Sequence, residues 1–164
     1  MLGAIIGVLN LVFMILRTQK NQENVNRIIK ELGYISEMTL MGGLFMISVG
    51  TYLGGVWANE SWGRYWGWDA KETWALVTIL VYAFILHMRF IPGLRGPLAY
   101  NVATLFGWAS VIMTYFGVNY YLSSQHSYAA GDPVPIPSFV YYAVAILTVL
   151  SLVAYWRDRS YRKG

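Results

Sequence analysis

Five of the seven tryptophans stand at 57, 62, 66, 68 and 74, in the run Trp57-Ala-Asn-Glu-Ser-Trp62-Gly-Arg64-Tyr-Trp66-Gly-Trp68-Asp69-Ala-Lys-Glu-Thr-Trp74 between two apolar stretches. Flat, polarizable indoles, thinned by Gly63 and Gly67 and accompanied by Arg64 and Asp69, suit a large planar ligand with anionic groups at the edge of a membrane. A porphyrin has that chemistry. Trp62, Trp66 and Trp68 would cover the macrocycle or its edges, and Arg64 or Lys71 would pair with its propionates through charge-assisted hydrogen bonds. The simpler alternative is an interfacial aromatic belt, but belts scatter their rings over several helix ends, whereas these rings share one short segment.

Two imidazoles, His87 and His126, are the only nitrogen ligands of their kind, and there is no cysteine. Any thiol chemistry must therefore come from a partner. His126 lies in Ser123-Ser-Gln-His126-Ser-Tyr128, ahead of the proline-stiffened Asp132-Pro-Val-Pro-Ile-Pro137. It is either a solvated loop residue or, beside an aromatic platform on the same membrane face, an axial ligand to haem iron. His87 follows Asp69 by 18 residues, or about 27 Å along a helix, so one haem cannot touch both His87 and the tryptophan run. It reads as an interfacial anchor next to Arg89 or as a ligand at a second, inner haem station. No phosphate-binding glycine loop, zinc motif or Ser-His-Asp order is present, and no residue is assigned a catalytic role.

The elements that must position these residues belong to a membrane protein. Of 164 residues 57% are hydrophobic and 12% charged, about half the charged share of a soluble domain. Apolar runs at Leu2–Leu16, Met38–Val56, Thr73–Met88, Leu98–Leu122 and Ser138–Trp156 predict an all-α polytopic fold of about five transmembrane helices, the first and third short. Asp69-Ala-Lys-Glu72 has capping-box spacing at the start of the third. Thr18–Ser36, with Val25, Ile28, Ile29 and Leu32 at helical spacing, reads as an amphipathic connector on the membrane surface. The chain thus divides into a first helix and connector (1–37), a haem-handling membrane domain (38–156) and a basic tail (157–164). The domain carries the tryptophan loop at 57–74 and the histidine loop at 121–137. Met1–Leu16 lacks a basic leader and a small-residue cleavage pattern, and reads as a retained helix.

Ten of the twelve Lys and Arg residues follow the first, third or fifth run, and only Arg64 and Lys71 fall on the opposite side. The positive-inside rule then places the amino terminus and both functional loops outside and the carboxyl terminus in the cytoplasm. This bias accounts for the net charge of +4 without a nucleic-acid partner; the partner implied by composition is membrane lipid.

W-G-R-Y-W-G-W-D at 62–69, K-E-T-W at 71–74, L-H-M-R at 86–89, F-G-V-N-Y at 116–120, H-S-Y at 126–128 and P-V-P-I-P at 133–137 together resemble the tryptophan-rich haem-handling superfamily. Within it the likeness is to the CcsA/ResC branch of the System II cytochrome c synthase. The resemblance implies a bacterial inner-membrane protein that moves haem b to the outer face and presents it to apocytochrome c, whose thiols attack the vinyl groups. It implies an outer site shaped by Trp62, Trp66, Trp68 and Asp69 with His126 as axial ligand, and an inner site with His87 as axial ligand. Ser124-Gln125 stands where the family usually has Gly-Leu, and Ala70 where it often has Pro. The family's other outer histidine, and a partner for His87, have no counterpart, so the chain resembles a carboxyl-terminal portion. It would be completed by an upstream segment or a CcsB/ResB-type subunit. The competing reading is a structural or docking subunit whose tryptophans only anchor it; a transporter is disfavoured by the few charges inside the helices.

Overall fold

The computed structural model describes residues 1–122 and 135–163, and among these residues it contains helices and no strands. The helices are α1 (Leu2–Leu16), α2 (Gln22–Trp62), α3 (Ala70–His87), α4 (Pro97–Ile112), α5 (Val118–Tyr121) and α6 (Ser138–Lys163). A single 3₁₀ turn over Met88–Phe90 extends α3, and a π-helical segment over Met113–Gly117 joins α4 to α5 without a break. Four of the resulting spans are long and apolar enough to cross a membrane: Gln22–Trp62, Ala70–Phe90, Pro97–Tyr121 and Ser138–Tyr161. The first apolar run forms α1, whose 15 residues cover about 22 Å, short of a hydrocarbon core.

The shortest of the five apolar runs is the most enclosed. Gly3, Ala4 and Gly7 give α1 a smooth face, and Leu11 and Met14 are fully buried in a cluster with Val25, Ile29, Leu105 and Ala154, so that α1 packs against α2, α4 and α6 at once. A Cβ on Gly7 would lie 3.1 Å from the Asn101 carbonyl oxygen, a measure of how closely α1 and α4 approach. At that crossing the buried Asn10 amide donates to Asn101 Oδ1 at 3.0 Å, and Asn101 Nδ2 donates to the Pro97 carbonyl. Polar pairs of this kind hold helices together where lipid offers no hydrophobic gradient between them. Replacing Asn101 by Leu removes both bonds and leaves the Asn10 amide without its acceptor. A loss of about 1 kcal/mol is expected, read as a lower detergent-denaturation midpoint with unchanged helical circular dichroism.

The structure departs from the sequence expectation in α2. Connector and second span are one helix of 41 residues, about 60 Å long, and position 37/38 lies within it. No proline interrupts residues 22–62, and Val25 and Ile29 bury against α1 while Ser36 and Leu40 continue the same face. The drop in polarity near Met38 marks where the helix meets apolar surroundings, not where it ends. The α1–α2 turn is fastened by Asn21, whose Oδ1 accepts from Thr18 N at 2.7 Å and whose Nδ2 donates to the Leu16 carbonyl.

Candidate functional site: the tryptophan loop and its cleft

Helix α2 stops at Trp62 because Gly63 takes the left-handed conformation (φ 70°) and donates its N–H to the Asn59 carbonyl at 2.8 Å. This is the usual glycine C-cap. The chain then folds back on the helix it has left: a Cβ on Gly55 would lie 3.1 Å from the Tyr65 carbonyl oxygen, so the absence of a side chain there lets the loop lie close.

At the other end of the loop the capping box expected from Asp69 and Glu72 is present. The Asp69 side chain accepts from the first turn of α3, and Glu72 Oε2 accepts from Asp69 N at 3.2 Å. The same Glu72 oxygen also accepts from Gly67 N at 2.7 Å, so one carboxylate clamps both the helix start and the loop before it. Trp68, between those two amides, is the single non-glycine residue with positive φ (55°) among the described residues. A strained backbone of this sort persists only where its surroundings hold it, and Glu72 is what holds it. The Arg64 guanidinium lies across the open face of Gly67, where a Cβ would make it shift.

The indoles sort into two edge-to-face pairs, Trp57 with Trp62 at 5.0 Å and Trp66 with Trp68 at 5.8 Å between centroids. Trp68 is 70% exposed, and Trp57, Trp62 and Tyr65 are exposed as well. Trp66 lines a cleft of about 480 Å³ with Trp57, Tyr65, Lys71, Glu72 and the α2 glycines Gly50, Gly54 and Gly55, within the range of small-molecule and cofactor sites. The structure therefore brings Trp66 and Lys71 into the cleft and leaves Trp62, Trp68, Arg64 and Asp69 outside its lining, on the loop around it.

Three contributors escaped the sequence reading: the loop-clamping bond of Glu72, the glycines of α2, and Thr114. The Gly50-Thr-Tyr-Leu-Gly54 spacing was available as a signal for the second. Thr114, in the π-helical segment, lines the floor of the cleft, with its hydroxyl 3.0 Å from the Trp74 carbonyl, 2.8 Å from that of Ser110 and 2.9 Å from Thr78 Oγ1. One hydroxyl proton serves only one carbonyl at a time, so Thr78 is assigned as donor to Thr114. This network ties the π segment, a feature often kept at functional positions, to the helix carrying the tryptophan loop.

His87 is the last residue of α3, exposed, with its ring 6.0 Å from that of Phe90. Its Nδ1 lies 2.7 Å from the Ala83 carbonyl oxygen, which requires a proton on Nδ1; in the neutral ring the lone pair is then on Nε2, the tautomer that suits a metal-ligating histidine. About 27 Å of helix separates it from the tryptophan loop, as the spacing predicts. His126 lies outside the described residues. Among the described residues no cluster of three or more His, Cys, Asp or Glu is placed to hold a bare metal ion.

The apolar helices long enough to cross a membrane make this a polytopic all-α membrane protein. Residues 1–126 match the family model described as cytochrome C assembly protein, and the chain belongs to that family. It is 46% identical over 153 residues to Protein NrfI of Wolinella succinogenes, covering 93% of this chain and 17% of that protein. It is 42% identical to the cytochrome c biogenesis protein CcsA of Solanum lycopersicum over 105 residues, and 42% identical to that of Marchantia polymorpha over 116. The chain spans about a third of the length of these two CcsA proteins, 33% and 36% respectively.

Proposed function

We infer that this chain binds haem b at the tryptophan loop and presents it at the outer membrane face to apocytochrome c, within a cytochrome c assembly complex of the bacterial cytoplasmic membrane. The observation that carries the reading is the clamp: Glu72 fixes Gly67 and Asp69, and with them Trp66 and Trp68, at the mouth of a cleft large enough for part of a macrocycle. Arg64 and Lys71 supply cationic groups for propionates, and the exposed faces of Trp62 and Trp68 remain for a planar ligand or for the incoming polypeptide. His126 would be one axial ligand there, and His87, with Nε2 open, one axial ligand of an inner station.

Haem, when bound, supplies the vinyl groups that take up the two cysteine thiols. The chain's own residues orient and shield it, and positioning of this kind lowers the barrier without an acid or base from the protein. The Lys and Arg distribution supports an outward tryptophan loop and a cytoplasmic carboxyl terminus. A second subunit of CcsB/ResB type, or further sequence, would complete each pair of axial ligands.

The test is spectroscopic. The assembled complex, purified from cells making ample haem, should show a Soret band, and His126→Ala should shift its spectrum and lower its haem content. A colourless wild-type complex would overturn the reading in favour of an anchoring subunit, and an unchanged spectrum in His126→Ala would remove that residue from the site.

A further inference from the structure

A second cavity lies at the opposite end of α3 from the tryptophan loop. It is about 210 Å³ in volume and is walled by α2, the end of α3 and the start of α4. Its apolar wall includes Ile29, Ile85 and Leu94, and its polar lining includes Lys30, Glu37, Arg89, Arg95 and Asn101. Three cations meet one carboxylate. Glu37 is bound to Arg89, so the charges of Lys30 and Arg95 are unmatched among the described residues.

We propose that this cavity binds the phosphate of an anionic phospholipid headgroup, held by Lys30 and Arg95. The volume falls below the range of drug-sized ligand sites, which suits a headgroup. Ile85, Leu86 and Arg89 line the cavity, whereas His87 and Phe90 do not, so the site is separate from the imidazole face and stands whether or not His87 ligates haem. A lipid is the favoured carrier because the cavity combines unmatched cations with an apolar wall between apolar helices, at the depth where α2 changes from charged to apolar sequence. Basic pockets between membrane helices bind anionic lipid headgroups.

Native mass spectrometry of the full chain in detergent tests this, with phosphatidylglycerol and phosphatidylcholine as probes. Wild type should retain phosphatidylglycerol over phosphatidylcholine. Lys30→Gln with Arg95→Gln should weaken that retention at least tenfold, while Arg157→Gln with Arg159→Gln should leave it within twofold. Arg95→Lys should keep most of it, which separates loss of charge from loss of fold. Equal effects of the two double variants would overturn the proposal, because attraction would then be spread over the basic surface. Displacement by millimolar inorganic phosphate as readily as by lipid would also overturn it, making free phosphate the ligand.

Discussion

Glu72→Ala should release the tryptophan loop while leaving α3 in place. The substitution removes the acceptor for two backbone amides at once, Gly67 N at 2.7 Å and Asp69 N at 3.2 Å. A hydrogen bond to a charged group contributes about 1.5–3 kcal/mol, and the partial exposure of this carboxylate argues for the lower end. Two such bonds, one of them also part of the helix cap, put the loss of loop order at about 3 kcal/mol. Trp68 would be the first residue to relax, because its φ of 55° has no other restraint of comparable strength among the hydrogen bonds described above. Helix α3 keeps the Asp69 cap and its packing on α2 and α4. Circular dichroism should therefore hold constant while tryptophan fluorescence shifts to the red. For the proposed haem site the consequence is a fall in affinity of up to a hundredfold, measured by haem titration of the assembled complex. Glu72→Gln retains an acceptor oxygen and should fall between. Wild-type haem retention in Glu72→Ala would mean that the indoles do not need to be held, and the clamp would lose its functional meaning.

The same residue marks the boundary of what could be read from sequence. Asp69 and Glu72 were legible as a capping box because that rule operates at fixed local spacing. The bond from Gly67 was not, because it depends on the loop folding back over Gly55 and on a backbone conformation that tryptophan seldom adopts. Five apolar segments were legible from length and hydropathy. The union of the connector with the second span was not, because a change of polarity was read as a break although no residue near Met38 breaks a helix. Charges mislead in a related way. Arg17 and Arg157 entered the sequence reading only as markers of membrane sidedness, yet each makes a specific contact with a residue about 140 positions away. Of the candidate ligand residues, the backbone tether of His87 needed the three-dimensional structure, whereas its distance from the tryptophan loop followed from helical rise alone.

The long-range contact of Arg17 supports the second large effect. At the end of α1 the Arg17 guanidinium donates to Asp158 Oδ1 at 3.0 Å and to Asn26 Oδ1 at 3.1 Å, and it lies over the Tyr161 ring at 4.5 Å. Its carbonyl accepts from Tyr161 Oη at 2.7 Å and from Arg157 Nη2 at 2.9 Å. The side chains of Arg17 and Asp158 are only 11% and 9% exposed. Removing one member of such a pair leaves a desolvated charge, which costs about 3–5 kcal/mol in a deep interior. At this helix end, where Arg17 can turn toward water, about 3 kcal/mol is expected for Asp158→Ala. Asp158→Asn, which keeps an acceptor, should cost less, and Arg17→Ala combined with Asp158→Ala should cost less than the sum of the single changes. The detergent-denaturation midpoint would measure all three. An Asp158→Ala midpoint equal to wild type would show that the pair adds nothing. The pair also bears on the proposed outer site, because α6 is the element that follows the sequence segment containing His126. Loosening α6 from α1 should lower stability and haem content together, whereas His126→Ala should lower haem content alone; the two substitutions therefore separate the support of the ligand from the ligand itself.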